Sequence, residues 1–480
     1  MTEPPHNSEA ALDWSINGLR REQPDLSAST QLSSRQLQVL AGILALIVLC
    51  IVLNPSATGI GFVGLASAWY LVNVADRCVL LVLGMERDEL IQISDEAARA
   101  ISDEELPVYT VLLPAFAEQN IIEELIHGVG ALEYPRDKLE ILLLLEADDE
   151  LTVSAARSGS IDDLAQIVLV PASEPRTKPK ACNYGLTLSS GEFVTIYDAE
   201  DVPDPLQLRR AVVAFSTQPD DVACIQARLA YFNDRQNLLT KWFAVEYDQW
   251  FGFVLPALSK ARAPLPLGGT SNHMRRDVLM ASGAWDPFNV TEDADLGIRL
   301  ARLGYRTAVL DSITLEEANS DALNWVRQRS RWYKGYLQTF LVHTRHPRAL
   351  IRELGVGGFI RFMTTMTGPA TTNVLNVVFG AAGVLWITGR PQVINELLPT
   401  PLYYAGLISF ALGYTSTVYM GLLTTRAEHK PYLLGAVLLS PLYWVLMSVA
   451  AAKAVFQLMF QPSYWEKTAH GLTGGAEVPA

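Results

Sequence analysis

Apolar positions along this chain fall into three regimes. From about Leu37 to Leu53, and again from about Thr58 to Met85, they run almost unbroken for lengths that cross a bilayer as a helix. Asn54-Pro55 ends the first run, and the loop between the two holds no Lys or Arg. Arg20, Arg21 and Arg35 precede the first run and Arg87 follows the second, so the positive-inside tendency predicts both flanks on the cytoplasmic side of the cell (inner) membrane. Residues 1–35 are polar, lack the apolar core and cleavage site of a signal peptide, and are expected to form a flexible tail. Asp76 and Arg77 interrupt the second run, and adjacent opposite charges in a membrane segment predict a pair that satisfies itself.

Beyond residue 105 the period changes. Short β-branched or leucine-rich runs alternate with helical segments, which predicts an α/β domain over 105–315 with a mostly parallel sheet covered by helices. The predicted strands are Val108 to Leu113, Leu139 to Leu145, Gln166 to Val170, Phe193 to Tyr197 and Cys224 to Gln226. Acidic residues follow several of them: Glu118 after the first, Glu146, Asp148 and Asp149 after the second, Asp198, Glu200 and Asp201 after the fourth. Strand ends are where ligands bind in such sheets. Residues 316–354 read as amphipathic helices at a membrane interface, and apolar segments return over 355–460. Thr367 to Asn373, with Pro369 inside, predicts a break that makes Gly355 to Gly389 a tilted or re-entrant pair. Residues 461–480 form a tail.

Composition narrows the class. Half of the 480 residues are hydrophobic and 18% are charged, as in a membrane protein with a soluble part. The net charge of −14 argues against nucleic acid as partner, because phosphate contacts need a basic surface. Four cysteines without CxxC spacing suggest neither a disulfide framework nor a zinc site. No glycine-rich phosphate loop follows the first strand, so a dinucleotide fold and a P-loop are unsupported.

Three short stretches carry candidate chemistry. Asp198 and Glu200 end a strand, project to one side, and suit a hard divalent cation such as Mg2+ or Mn2+. Thr291-Glu292-Asp293 starts a helix, where a fixed carboxylate can act as a base. Gln328-Arg329-Ser330-Arg331-Trp332 puts guanidinium groups and an indole on one helix, which suits an anionic ligand. In that order, between membrane runs, these resemble the D-x-D, T-E-D and Q-x-x-R-W motifs of membrane-embedded family 2 glycosyltransferases, the group of the cellulose, chitin and hyaluronan synthases.

The resemblance implies a nucleotide-sugar-binding domain of GT-A type inserted between transmembrane helices. It implies a metal at Asp198 and Glu200, Glu replacing the usual second Asp, and general base catalysis by Asp293 beside Glu292. Glu146, Asp148, Lys180 and Arg331 would contact the nucleotide sugar; Gln328, Arg329, Trp332, Thr270 and Ser271 would contact the acceptor. Lys467 and Thr468 would belong to a loop closing over the diphosphate, the alternative being an interfacial anchor. One base opposite the leaving group implies inversion. The expected activity is transfer from a nucleotide diphosphate sugar, a uridine one by expectation, to a growing β-linked polysaccharide with coupled export. Membrane lipids and accessory export subunits are the expected partners. A single transfer to a lipid and a non-catalytic export subunit are the alternatives.

Overall fold

The computed structural model describes residues 8–118, 128–158, 164–389, 399–462 and 464. Among them nine strands form one sheet: β1 (Leu90–Ile91), β2 (Tyr109–Ala115), β3 (Leu139–Glu146), β4 (Gln166–Val170), β5 (Phe193–Ile196), β6 (Val202–Pro203), β7 (Val222–Tyr231), β8 (Asn272–Arg275) and β9 (Arg306–Glu316). Their order is β1-β9-β7-β8-β5-β2-β3-β4, with β6 on β9. Pairing is parallel along β5-β2-β3-β4 and β7-β9-β1; β8 runs antiparallel between β7 and β5. The unbroken leucines of β3 are what a strand covered on both faces requires. Leu142 and Leu144 enter one core with Leu112 of β2; Ile141, Leu143 and Leu145 enter the other with Val111 and Leu113. The predicted parallel sheet is thus present, with longer β7 and with β8 and β9 added. Those were hidden because β7 buries Gln226 and Arg228, and β8 buries Asn272 and His273.

Within the N-terminal stretch, residues 8–35 are not the flexible tail that their polarity suggested. Ser8–Glu22 form a helix, α1, that buries Ala11, Ser15, Gly18 and Leu19, spaced along one helical face. Leu19 reaches Gly283, and α1 packs on α4 (Lys178–Leu188). The stripe is small and built of small residues, which is why composition concealed it.

Helices α2 (Ser34–Leu53) and α3 (Pro55–Gly84) are long and apolar enough to cross a membrane, and α2 buries none of its residues. Helix α5 (Leu238–Gln249) and helix α6 (Glu292–Arg302) belong to the α/β domain, followed by α7 (Ala322–His343), α8 (Pro347–Gly389), α9 (Thr400–Ala427) and α10 (Ser440–Phe460). Two local expectations are corrected here. Asp76 does not pair with Arg77; it binds Arg361 of α8 and accepts from Thr364 Oγ1 at 2.8 Å. Helix α8 does not break at Thr367–Asn373 but at Gly355, where φ is 69°. Around Pro369 the hydroxyls of Thr367, Thr371 and Thr372 and the amide of Asn373 donate to carbonyls one turn back, so these polar side chains are satisfied within the helix.

Helix α10 runs alongside α7. Tyr443, near its start, lies against Arg329, and past its end Pro462 O accepts from Gln338 at 2.9 Å while Tyr464 O accepts from Lys334. Both ends of this apolar helix therefore meet α7. Glu428, just after α9, binds Arg87 at 2.8 Å and Arg228 at 2.6 Å, which puts that end on the domain side.

Candidate active site

The carboxyl ends of β3, β5 and β9 meet one cavity of about 600 Å³. It is lined by Glu146, Asp198, Glu200, Glu292, Asp293 and Glu316 on the sheet side, by Gln328, Arg329, Arg331 and Trp332 of α7, and by Asn73, Arg77, Thr372, Asn376 and Ser416 between the apolar helices. The three motifs thus share one space, which continues from the sheet edge into the helical bundle.

Lys178 ties two of the motifs together. Its Nζ pairs with Asp198 Oδ1 and donates to Gly269 O at 2.7 Å; a Cβ placed on Gly269 would lie 3.4 Å from Asp293 Oδ2. Burial opposes the charge on Lys178, but Asp198 and Glu292 hold its pKa above the ordinary value. Burial pushes Asp293 up to about 6, and burial with the charge of Asp293 pushes Glu292 up to about 7. Carboxyls poised near neutrality suit proton transfer.

Helix α7 carries the third motif and also clamps the second. A Cβ on Gly335 would sit 2.3 Å from Thr291 Oγ1, so glycine alone lets the helix approach the loop. Asn289 Nδ2 donates to Thr339 Oγ1 at 3.0 Å and Val290 N to Gln338 Oε1 at 3.3 Å. Also in the first turn of α6, Asp295 accepts from Arg299 at 2.8 Å and meets His343, at the end of α7, at 3.0 Å. Gln328 Oε1 is buried with no hydrogen-bond partner among the described residues. Trp332 lines the cavity and stacks on Tyr247, with rings 6.2 Å apart.

Other residues singled out from the sequence have different engagements. Lys180 is fully buried in a pair with Glu146 at 2.7 Å; burial raises Glu146 despite that partner. Asp148 pairs with Arg176. Thr270 Oγ1 turns inward to Ile196 O at 2.9 Å and to Asp201, and Ser271 Oγ donates to Thr314 at 2.7 Å, so neither hydroxyl faces an acceptor. Arg329 makes two bonds to Glu246, at 2.8 and 2.6 Å, and lies 4.6 Å from the Trp332 ring centroid, which makes it a prop for that indole. Lys467 and Thr468 lie outside the described residues.

One contributor went unread. Glu316 ends β9 at the same edge, and its position at a strand end was the available signal. Lys178 belongs to the basic stretch Arg176 to Lys180, whose cations the sequence offers to a diphosphate. Among the described residues no three His, Cys, Asp or Glu side chains form a closed metal cage. The edge nonetheless crowds carboxyls together. Burial with neighbouring carboxylates raises Asp201 and Glu316 well above the usual range, and Asp201 Oδ1 is buried without a hydrogen-bond partner. That donor set fits a hard divalent cation.

Comparison with known proteins agrees. Residues 107–335 match the model for glycosyltransferase like family 2. The Bacillus subtilis protein YdaM, described as a probable glycosyltransferase, is 26% identical over 48% of this chain and just over half (56%) of its own length. The β-monoglucosyldiacylglycerol synthase of Trichormus variabilis is 26% identical over 78% of each chain. The mannosyltransferase PcManGT from Pyrobaculum calidifontis, solved with GDP-Man and Mn2+, is 22% identical, with a TM-score of 0.53 over 82% of this chain and 99% of its own, and shares the fold. The α/β domain is thus similar to the glycosyltransferase like family 2, the match covering just under half of the 480 residues.

Proposed function

We propose that this protein is an inverting membrane glycosyltransferase that extends a β-linked glycan from a nucleotide diphosphate sugar and passes the product into its own helices. The observation that carries this reading is the continuity of one cavity from Asp198 and Asp293 to the polar side chains Asn73, Thr372, Asn376 and Ser416 between apolar helices. Hydroxyl and amide groups in such a place suit sugar rather than acyl chain.

In the proposed mechanism Asp293 accepts the proton of the acceptor hydroxyl, which attacks the anomeric carbon from the face opposite the diphosphate. The bond to the diphosphate breaks as the new glycosidic bond forms, so an α-linked donor gives a β-linked product. Arg331 and Lys178 offset the charge growing on the leaving diphosphate. Asp198 and Glu200, with Glu316 beside them, would hold a divalent metal, Mg2+ or Mn2+, whose chemistry is to neutralise that same charge. Gln328 and Trp332 orient the acceptor, the amide by hydrogen bonding and the indole by stacking. The catalytic domain lies on the cytoplasmic side, where nucleotide sugars are made.

Glycolipid synthesis is the second reading, favoured by the match to a glucosyldiacylglycerol synthase over most of both chains. Sizing the product of the purified protein separates the two. Chains of many sugars support extension; one sugar on diacylglycerol, with no longer product, supports the lipid acceptor.

A further inference from the structure

The loop before the proposed base is held from behind by the N-terminal residues. Asn183 of α4 bridges the two: its Nδ2 donates to Ser15 O at 3.0 Å and Trp285 O at 2.8 Å, and its Oδ1 accepts from Trp285 N at 3.1 Å. Next along the loop, Asp286 is fully buried. Its Oδ2 accepts from Ala28 N at 2.5 Å, and its Oδ1 accepts from Ser27 Oγ at 3.2 Å and from Phe288 N at 3.1 Å. Arg345, beyond the end of α7, donates to the carbonyls of Pro24, Asp25 and Ser27 at 3.1, 2.8 and 3.1 Å and also to Thr30 O. Arg20 lies 5.7 Å from the centroid of the Phe288 ring. Pro287, Phe288, Asn289 and Val290 then line the cavity and lead directly into Glu292 and Asp293.

We propose that residues 15–30 are a strap that positions the catalytic loop, with Asp286 as the positioning residue through which it acts. Two of the three groups that donate to the Asp286 carboxyl come from the strap. Removing them leaves a buried carboxyl poorly satisfied, and the loop must move to find water. The loop that would move carries Asp293 at its end. Displacement of a base by about 1 Å costs on the order of 100-fold in rate, whereas the donor edge at Asp198 lies on a separate strand and keeps its geometry. The effect belongs on turnover and not on nucleotide affinity. The inference rests on the reading of Asp293 as base.

Asp286→Asn and Arg345→Gln in the full-length protein test it. The first sets an amide N–H against one of two backbone N–H groups, that of Ala28 or that of Phe288; the second frees the strap carbonyls without touching the cavity. Release of nucleoside diphosphate during transfer gives kcat and KM, and calorimetry with UDP and GDP gives donor-side affinity. The strap predicts that each variant loses about 10-fold or more in kcat, with KM for donor and nucleotide affinity within about twofold, and that the double variant loses less than the product of the two. Unchanged kcat per folded molecule, with only a lower Tm, overturns the proposal. Should Asp286→Asn not fold, Arg345→Gln decides alone. Normal turnover in Asp293→Asn sinks the base assignment instead, while an inactive Asp293→Asn beside fully active strap variants sinks the strap only.

Discussion

Gly335→Ala is a one-methyl perturbation of the contact on which the proposed mechanism depends. The new Cβ would stand 2.3 Å from Thr291 Oγ1 and 2.4 Å from its Cγ2, where ordinary heavy-atom contact is about 3.5–4.0 Å. Relief therefore requires α7 and the 290–293 loop to separate by roughly 1 Å, since Thr291 is buried and cannot swing into open space. Overpacking of this kind costs about 1–3 kcal/mol of stability. Misplacing the base relative to Gln328, Arg331 and Trp332 by about 1 Å costs on the order of 100-fold in turnover, or about 2.7 kcal/mol of barrier at 1.36 kcal/mol per decade. The assay is single-turnover transfer on reconstituted protein, beside calorimetric UDP and GDP binding and thermal unfolding. The expected result is kcat reduced 10- to 100-fold, nucleotide affinity within about twofold, and a lower Tm. A kcat within twofold of the parent, at normal stability, would refute the claim that this helix-to-loop contact sets the site.

Other outcomes follow from the same geometry. The rate should rise with pH between about 6 and 7, because Asp293 and Glu292 are raised to about those values and the base must be ionised to accept a proton; a profile flat from pH 5 to 8 contradicts the assignment. Glu246→Gln should cost about 3 kcal/mol in denaturant unfolding by leaving Arg329 buried without its partner, and adding Arg329→Met should restore part of that; additive losses would deny the coupling. Tyr464→Cys should react with a membrane-impermeant thiol reagent only after cells are opened, because the segment around it meets α7 beside the catalytic domain; labelling of intact cells places the tail outside. Arg77→Gln should raise KM for acceptor and leave nucleotide affinity unchanged, since Arg77 shares the cavity face of α3 with Tyr70, Asn73 and Val74; an equal loss of both would point to misfolding.

Sequence pattern was most informative where burial is symmetric. Leu139–Glu146 reads as a strand because both faces are covered, and Asp198, Asp293, Gln328, Arg331 and Trp332 do surround one cavity. It was least informative where a polar residue is satisfied by a partner remote in the chain. Asp76 has an arginine beside it in sequence, yet it binds Arg361 from another helix. Arg228 and Asn183 look like surface residues until Glu428 and Ser15 meet them in the interior. Within the site, residue type was legible and engagement was not. Lys180 and Glu146 pair with each other, Thr270 and Ser271 turn into the sheet, and Lys178 rather than Lys180 faces the cavity, beside Asp198. Helix α10 is apolar enough for a span, and only its contacts at both ends with α7 show where it runs.

The central claim is that Asp293 performs inverting transfer from a nucleotide diphosphate sugar at this cavity. Its most direct test incubates purified protein with a panel of radiolabelled nucleotide sugars, identifies the donor used, and determines the anomeric configuration of the product by NMR for the parent and for Asp293→Asn. The account predicts transfer from a nucleotide diphosphate donor with inverted configuration, abolished in Asp293→Asn while nucleotide binding persists. Retained configuration, or an Asp293→Asn variant that transfers at the parent rate, would contradict it.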